Sequence, residues 1–142
     1  MSGDSAGSSP ALGDGPKAGR RDASEPFSPR QLARIDEALT LSSRETGLTF
    51  SVYVGELAEP SRATAESLFE KLATEADGAV LLAVSPGQRK VHIVTGETSA
   101  ARLPNRACAL AALGMRAAFT NGDLTGGIVT GLRMLADAAG RP

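Results

Sequence analysis

The stretch AVLLAVSPGQRKVHIVTG, residues 79–96, decides the fold of this chain. Residues 79–84 are apolar without alternation, which is typical of a central strand that is covered on both faces. Residues 85–88, Ser-Pro-Gly-Gln, predict a turn, and residues 89–95 predict a second strand. Because the two strands of a hairpin are antiparallel, this stretch supplies one antiparallel pair of a sheet.

The segment that follows the first 27 residues predicts a helix with a strong start signal. Ser28 is a cap residue, Pro29 suits the first helical position, and Gln31 completes a capping box. Gly47 predicts the end of this helix near residue 46. Apolar residues recur along one face of the helix: Leu32, Ile35, Leu39 and Leu41.

A strand and a second helix are predicted between the first helix and the hairpin. Residues 48–54 alternate apolar and small polar side chains, which places Leu48, Phe50, Val52 and Val54 on one face of a strand. The second helix begins at Pro60 or Ser61 and ends at Asp77-Gly78. A strand, a helix and another strand in this order predict a parallel crossover that leads into residues 79–84.

The C-terminal part predicts a loop and two helices. Residues 96–103 are expected to form the loop, and Pro104 begins a helix that runs to about residue 119. Asp123 caps a last helix that ends near residue 138. The predicted order is α-β-α-β-β-α-α, and the fold class is α/β, a mixed sheet with helices packed on it.

Composition narrows the classes of function. The chain has 142 residues, enough for one domain and a tail, and a formal net charge of −1, which does not favour nucleic acid or an anionic membrane. No apolar run approaches the roughly 20 residues that cross a bilayer, so we expect no membrane insertion and a cytoplasmic location. A single cysteine, Cys108, excludes an internal disulfide.

Residues 1–26 differ in composition from the rest of the chain. They are rich in Ser, Gly and Pro, and Leu12 is their one large apolar residue after the initial Met. Such a segment buries too little apolar surface to offset the entropy of ordering, so we predict a disordered tail at 1–26 and a folded domain at 27–140.

Five blocks in the second half of the chain resemble a known family. They are Val80-Leu81-Leu82-Ala83-Val84, residues 88–96 (QRKVHIVTG), Leu103-Pro104-Asn105-Arg106, residues 119–124 (FTNGDL) and residues 127–132 (GIVTGL). In this order and spacing they resemble the TPM domain family. More narrowly, they are similar to short actinobacterial proteins of unknown function of the DUF5130 type. The resemblance covers roughly residues 48–138.

The resemblance implies an α/β/α sandwich of three layers. Some plant members of the family have acid phosphatase activity and bind a divalent metal. This chain departs from the family pattern at two positions: Gly96 is followed by Glu97-Thr98-Ser99 instead of a Gly-x-Gly-Leu-Glu type sequence, and the position after Leu103-Pro104 is Asn105 instead of an acid. Both departures weaken the case for a metal or phosphatase site.

Four residues form the candidate site. Arg89 matches an arginine position of the family, and its guanidinium is suited to bind phosphate or carboxylate or to pin the hairpin. Glu97, Asn105 and Asp123 lie in predicted loops or helix starts, and their oxygens suit Ca²⁺ or Mg²⁺. Asp123 has the alternative role of a helix cap. We expect this set to converge at one end of the sheet if it forms a site.

The lone histidine and the lone cysteine are expected to be structural. His92 points away from the side of Val91 and Ile93 and lacks the ligand set of a zinc site, so a packed or solvent-edge side chain is expected rather than a general base. Cys108 lies among apolar helix residues and is expected to be an inert thiol.

Gly127 and Gly131 share one face of the last helix. Close packing against the preceding helix, which is rich in alanine, is one explanation. The alternative is a homodimer interface.

These observations lead to two hypotheses of function. The first is a non-catalytic cytoplasmic module that binds a protein partner and has no cofactor, because the chain shows neither a nucleophile with its base nor the family's acidic loop residues. The alternative is a phosphatase-like hydrolase that uses Glu97, Asp123 and Arg89 with Ca²⁺ or Mg²⁺.

Overall fold

A computed structural model describes residues 26–72 and 76–142 of the chain. The predicted tail therefore lies outside the described residues, apart from Pro26. The described residues form five α-helices, one 3₁₀ turn and three strands. In chain order these are α1 (Pro29–Thr46), β1 (Thr49–Val54), α2 (Ser61–Leu72), the 3₁₀ turn (Ala76–Gly78), β2 (Ala79–Ser85), β3 (Lys90–Thr95), α3 (Glu97–Arg102), α4 (Asn105–Thr120) and α5 (Leu124–Ala139).

The three strands form one mixed sheet in the order β1-β2-β3. β1 and β2 are parallel, with Thr49 opposite Ala79 and Val54 opposite Val84. β2 and β3 are antiparallel, with Ser85 opposite Lys90. The predicted crossover and hairpin are both confirmed, and the central position of β2 explains why all seven of its residues are buried.

Helices cover both faces of the sheet, which makes an α/β sandwich. On one face, apolar residues of all three strands pack against α1, α4 and α5. These strand residues are Phe50, Val54, Val80, Leu82, Val84, Val91 and Ile93. On the other face, Ala79, Leu81, Ala83 and Val94 pack against Leu57 and against Ala65 and Phe69 of α2. The alternation of strand side chains thus separates two cores, and β3 supplies residues to each.

The start of α1 is as predicted. Ser28 is the cap: its hydroxyl accepts a hydrogen bond from the Gln31 backbone N–H at 3.1 Å, and the Gln31 side chain accepts one from the Ser28 N–H at 2.8 Å. Gly47 ends the helix with φ of +78°, a left-handed conformation that glycine adopts at low cost. Leu41 differs from its predicted core position, because 41% of its surface is exposed.

The predicted loop at residues 96–103 is wrong, because residues Glu97–Arg102 form the short helix α3. The Ser99 hydroxyl accepts a hydrogen bond from the Gly96 N–H at 2.9 Å and donates one to the carbonyl of Ala79 at 2.7 Å. Ser99 is fully buried. This one side chain both caps α3 and holds it at the first residue of β2.

Arg102 joins α3 to the ends of two longer helices. Its guanidinium donates to the carbonyl of Thr46 at the end of α1 at 2.8 Å. It also donates to the carbonyls of Ala139 and Gly140 at the end of α5, at 3.2 and 2.8 Å. The C-termini of α1 and α5 therefore meet at α3, at the edge of the sheet where β1 and β2 begin.

Candidate functional site

The four candidate loop residues lie at two opposite ends of the molecule. Arg89 precedes β3 and Glu97 follows it, so six strand residues, or about 20 Å, separate them. Asp123 precedes α5, whose last residue contacts Arg102 of α3. A helix of 16 residues is about 24 Å long, so Asp123 lies at the end away from Glu97. Asn105 begins α4 just after α3 and stays on the Glu97 side.

The set therefore divides into two pairs, Glu97 with Asn105 and Arg89 with Asp123. All four residues are exposed. Among the described residues, no group of three or more His, Cys, Asp and Glu side chains is placed to hold a metal ion. The expected convergence at one end of the sheet is not what the fold produces, because β3 and α5 hold the pairs apart.

Asp123 fills the capping role that the sequence predicts for it. Its carboxylate accepts a hydrogen bond from the Gly126 N–H at 2.9 Å at the start of α5. Arg89 lies in the exposed turn between β2 and β3 with φ of +57°. The capping role accounts for the position of Asp123 without a ligand.

The glycines of α5 lie against α4 of the same chain. A Cβ atom on Gly127 would lie 2.6 Å from Cε1 of Phe119, and one on Gly131 would lie 2.5 Å from Sδ of Met115. Both glycines are buried. Close helix packing explains them, and the alternative of a homodimer would need a face that α4 already covers.

A polar cluster that the sequence analysis did not identify lies where the start of α2 meets β3. We call it the edge cluster: Glu59, Ser61, Arg62, Lys90 and His92. The Ser61 hydroxyl and Nε2 of His92 are 2.7 Å apart. Arg62 donates from Nη1 to the carbonyl of Ile93 at 3.1 Å, and Lys90 forms an ion pair with Glu59 at 3.0 Å. The cluster joins α2 to the outermost strand of the described sheet.

Burial and neighbouring charges favour the neutral form of His92 in this cluster. Burial lowers the pKa of His92 below its ordinary value, and the positive charges of Arg62, Lys90 and Arg116 lower it further, whereas Glu59 raises it. The pKa of Glu59 is also lowered, first by its hydrogen bonds to Lys90 and to the Ser61 N–H. Ser61 is only 5% exposed. The surroundings therefore favour a hydrogen bond between the Ser61 hydroxyl and a neutral imidazole.

His92 points to the α2 side of the sheet, away from Val91 and Ile93, as the strand alternation predicts. Its partner Ser61 lies 31 residues earlier, so no short motif links the two. The one signal for the cluster is compositional: two basic residues, Lys90 and His92, occupy alternate positions at the start of β3.

Cys108 is half-buried, and burial raises the pKa of its thiol, which the charge of Arg62 lowers in part. Its Sγ lies 3.8 Å from the carbonyl of Leu103. A thiol of raised pKa is a poor nucleophile, which agrees with an inert side chain.

Among the described residues, two of the three exposed large apolar side chains lie on α4. We call this side of the helix the α4 outer face: Arg106, Ala109, Leu110, Leu113, Arg116 and Ala117, all exposed. Leu110 is 51% and Leu113 58% exposed. The buried face of the helix carries Ala111, Ala112 and Met115, so the two leucines lie opposite the core.

A small groove lies between α1 and α5. It is lined by Ala38, Leu41, Ser42, Glu45, Val129 and Arg133 and has a volume of about 30 Å³. Pockets for small-molecule ligands measure roughly 300–1,000 Å³, so this groove is too small for one. None of the described helices combines the length and the hydropathy of a membrane-spanning segment.

Comparison with protein families gives one match that covers nearly the whole chain. The model of a family described as a domain of unknown function, DUF5130, matches residues 2–136. Two uncharacterized proteins of Mycobacterium tuberculosis, MT2543 and Rv2468c, are each 36% identical to this chain over 111 residues. The aligned part is 78% of this chain and 66% of each relative, so about a third of each relative lies outside the match.

Solved structures with the same fold are known from three species. The BA42 protein of Bizionia argentinensis superposes with a TM-score of 0.71 at 16% identity, over 80% of this chain and 81% of BA42. An N-terminal domain from P. gingivalis has a TM-score of 0.68 at 18% identity, over 79% of this chain and 75% of that domain. An N-terminal domain of cg2496 from Corynebacterium glutamicum has a TM-score of 0.65 at 12% identity, over 80% of this chain and 74% of that domain. At these identities the likeness extends to the fold alone.

Proposed function

The chain belongs to the DUF5130 family, and we propose that its domain is a non-catalytic protein-binding module that docks a helix of another protein on the α4 outer face. The observation that carries the proposal is the position of Leu110 and Leu113, which lie about half exposed at the centre of that face. Residues three and four apart are neighbours on a helix, so the two leucines make one continuous apolar contact.

The charge of this face favours a partner protein over a second copy. In a pair of α4 helices, the arginines of one copy, Arg106 and Arg116, would lie near those of the other, and like charges repel. An amphipathic helix with apolar residues at helical spacing covers the two leucines without this repulsion.

The proposal extends to a TPM-like identity and a cytoplasmic location. The order of elements and the five sequence blocks support the first, and the lone cysteine is compatible with the second. The hydrolase alternative has less support, because Glu97 lies at the other end of the molecule from Asp123 and Arg89.

The test uses a synthetic amphipathic peptide with leucines at helical spacing and glutamine at its other positions. Added to the isotope-labelled full chain, it is expected to shift the backbone amide signals of α4 saturably. The double variant Leu110→Gln/Leu113→Gln should weaken binding about 30-fold, because each leucine contributes on the order of 1 kcal/mol on burial.

Leu41→Gln is the matched control, since Leu41 is a leucine of α1 that is 41% exposed. This variant is expected to bind as the unchanged protein does. Equal weakening by both changes, or no saturable shift on α4 in the unchanged protein, would refute the docking surface.

A further inference from the structure

The charged side chains that α4 itself exposes are of one sign. α4 contains no acidic residue, and its exposed side carries Arg106 and Arg116. The ion pairs of the described residues are Arg62–Glu66 and Lys90–Glu59, and neither involves these two arginines. The apolar contact is therefore bordered by positive charge.

The edge cluster lies on the strand next to α4 and adds no net charge to this border. α4 packs against β3, and Arg62 reaches the same strand from α2 through its hydrogen bond to the Ile93 carbonyl. Arg62 is paired with Glu66 and Lys90 with Glu59, so the positive border of the α4 outer face is formed by Arg106 and Arg116.

From this arrangement we infer that the docked helix is acidic: two carboxylates of the partner pair with Arg106 and Arg116 while its apolar residues cover Leu110 and Leu113. The inference rests on the proposed docking function and names the chemistry of the partner. Ten residues separate the two arginines along α4, which corresponds to about 15 Å. The matching carboxylates therefore lie about ten residues apart on a helix that runs alongside α4.

The arginines discriminate between acidic and basic helices, and they contribute only a small part of the binding free energy. They are exposed, and exposed ion pairs contribute little individually. Like charges placed opposite each other are unfavourable, so a basic helix is rejected. Two such pairs predict that an acidic helix binds about tenfold more tightly than a basic one at low salt, and that the ratio falls as salt is added.

The experiment compares three peptides that share the same leucine spacing and differ only at two positions ten residues apart. These positions carry glutamate, glutamine or lysine, and binding to the full chain is followed through the amide signals of α4. The expected order of affinity is glutamate, then glutamine, then lysine.

A charge reversal gives the decisive variant. Arg106→Glu/Arg116→Glu should reverse the preference so that the lysine peptide binds best. The matched control is Arg30→Glu/Arg34→Glu on α1, which makes the same change of net charge at two exposed arginines and should leave the order unchanged.

The outcomes separate the inference from the function on which it rests. Equal binding of the three peptides would overturn the acidic partner and leave docking on α4 intact. If the α1 control also reverses the order of the peptides, net charge alone causes the effect. That result would also overturn the inference of an acidic partner. If the glutamine peptide also fails to bind, the docking function itself is wrong.

Discussion

His92 is held by contacts that no local pattern predicts. Its place on the sheet follows from strand alternation, but its partner Ser61 is supplied by the start of α2, 31 residues earlier. The three cations that lower its pKa come from α2, β3 and α4. At the residue scale, the sequence determines which way the side chain points, and the packing of three elements determines its charge.

Stability should fall in mild acid because of His92. Its pKa is lower in the folded protein than its ordinary value of 6.5, so the unfolded chain binds the proton first as the pH falls. The contribution of His92 to the free energy of unfolding is therefore expected to be fully present above about pH 6.5. It is lost as the pH falls from that value towards the folded pKa.

Urea unfolding at about pH 7.5 and about pH 5.5 measures this effect, in a range where carboxylates such as Glu59 stay ionised. His92 is the one histidine of the chain, so His92→Gln should remove most of the difference between the two pH values. If the difference is unchanged in that variant, a group other than His92 causes the acid sensitivity.

At the scale of elements, the helices with strong caps and the alternating strands are predictable because their signals are local. The Ser28–Gln31 capping box and the Asp123 cap are both formed as the sequence indicates. The sequence pattern does not predict α3, because this helix has only six residues and depends on the contact of Ser99 with Ala79. A helix that short is stabilised by tertiary contacts rather than by propensity.

The close approach of α4 and α5 makes Gly131 a sensitive position. A side chain there would enter the space of Met115, which is fully buried. Gly131→Leu should lower the free energy of unfolding by about 3 kcal/mol, because the core cannot hold the added volume. Chemical denaturation monitored by circular dichroism gives the value.

Gly114→Ala is the control for that change. A Cβ atom at this position of α4 would lie 3.4 Å from Sδ of Met134, which is an ordinary contact. The variant should be neutral or more stable by up to about 1 kcal/mol, since alanine favours helix more than glycine does. Similar losses in the two variants would contradict the packing described for Gly131.

At the scale of the whole molecule, Arg102 links elements that are far apart in sequence. It binds the carbonyls at the ends of α1 and α5, where the helix dipoles favour a positive charge. The same arrangement holds Glu97 and Asn105 at one end of the domain and leaves Arg89 and Asp123 at the other. The separation of the candidate site is thus a consequence of topology.

Arg102→Ala should lower the free energy of unfolding by about 2–3 kcal/mol, because three carbonyl groups lose their charged donor. Arg102→Lys should recover part of the loss, since it keeps the charge but not the forked geometry. Thermal and urea unfolding report both values. Arg34→Ala, at an exposed position of α1, should change stability by less than about 0.5 kcal/mol, and a comparable loss there would argue against a specific role of Arg102.

The sequence by itself determined the elements of this protein apart from α3, the pairing of β1 with β2 and β2 with β3, and the face on which each strand residue lies. These features depend on spacing and caps within a few residues of the chain. The tertiary structure alone decided that the four loop residues divide between two ends, that Gly127 and Gly131 are covered by α4, and that Ser61 meets His92. It also decided that Leu110 and Leu113 face outward, because which side of an alanine-rich helix is buried depends on the elements that pack against it.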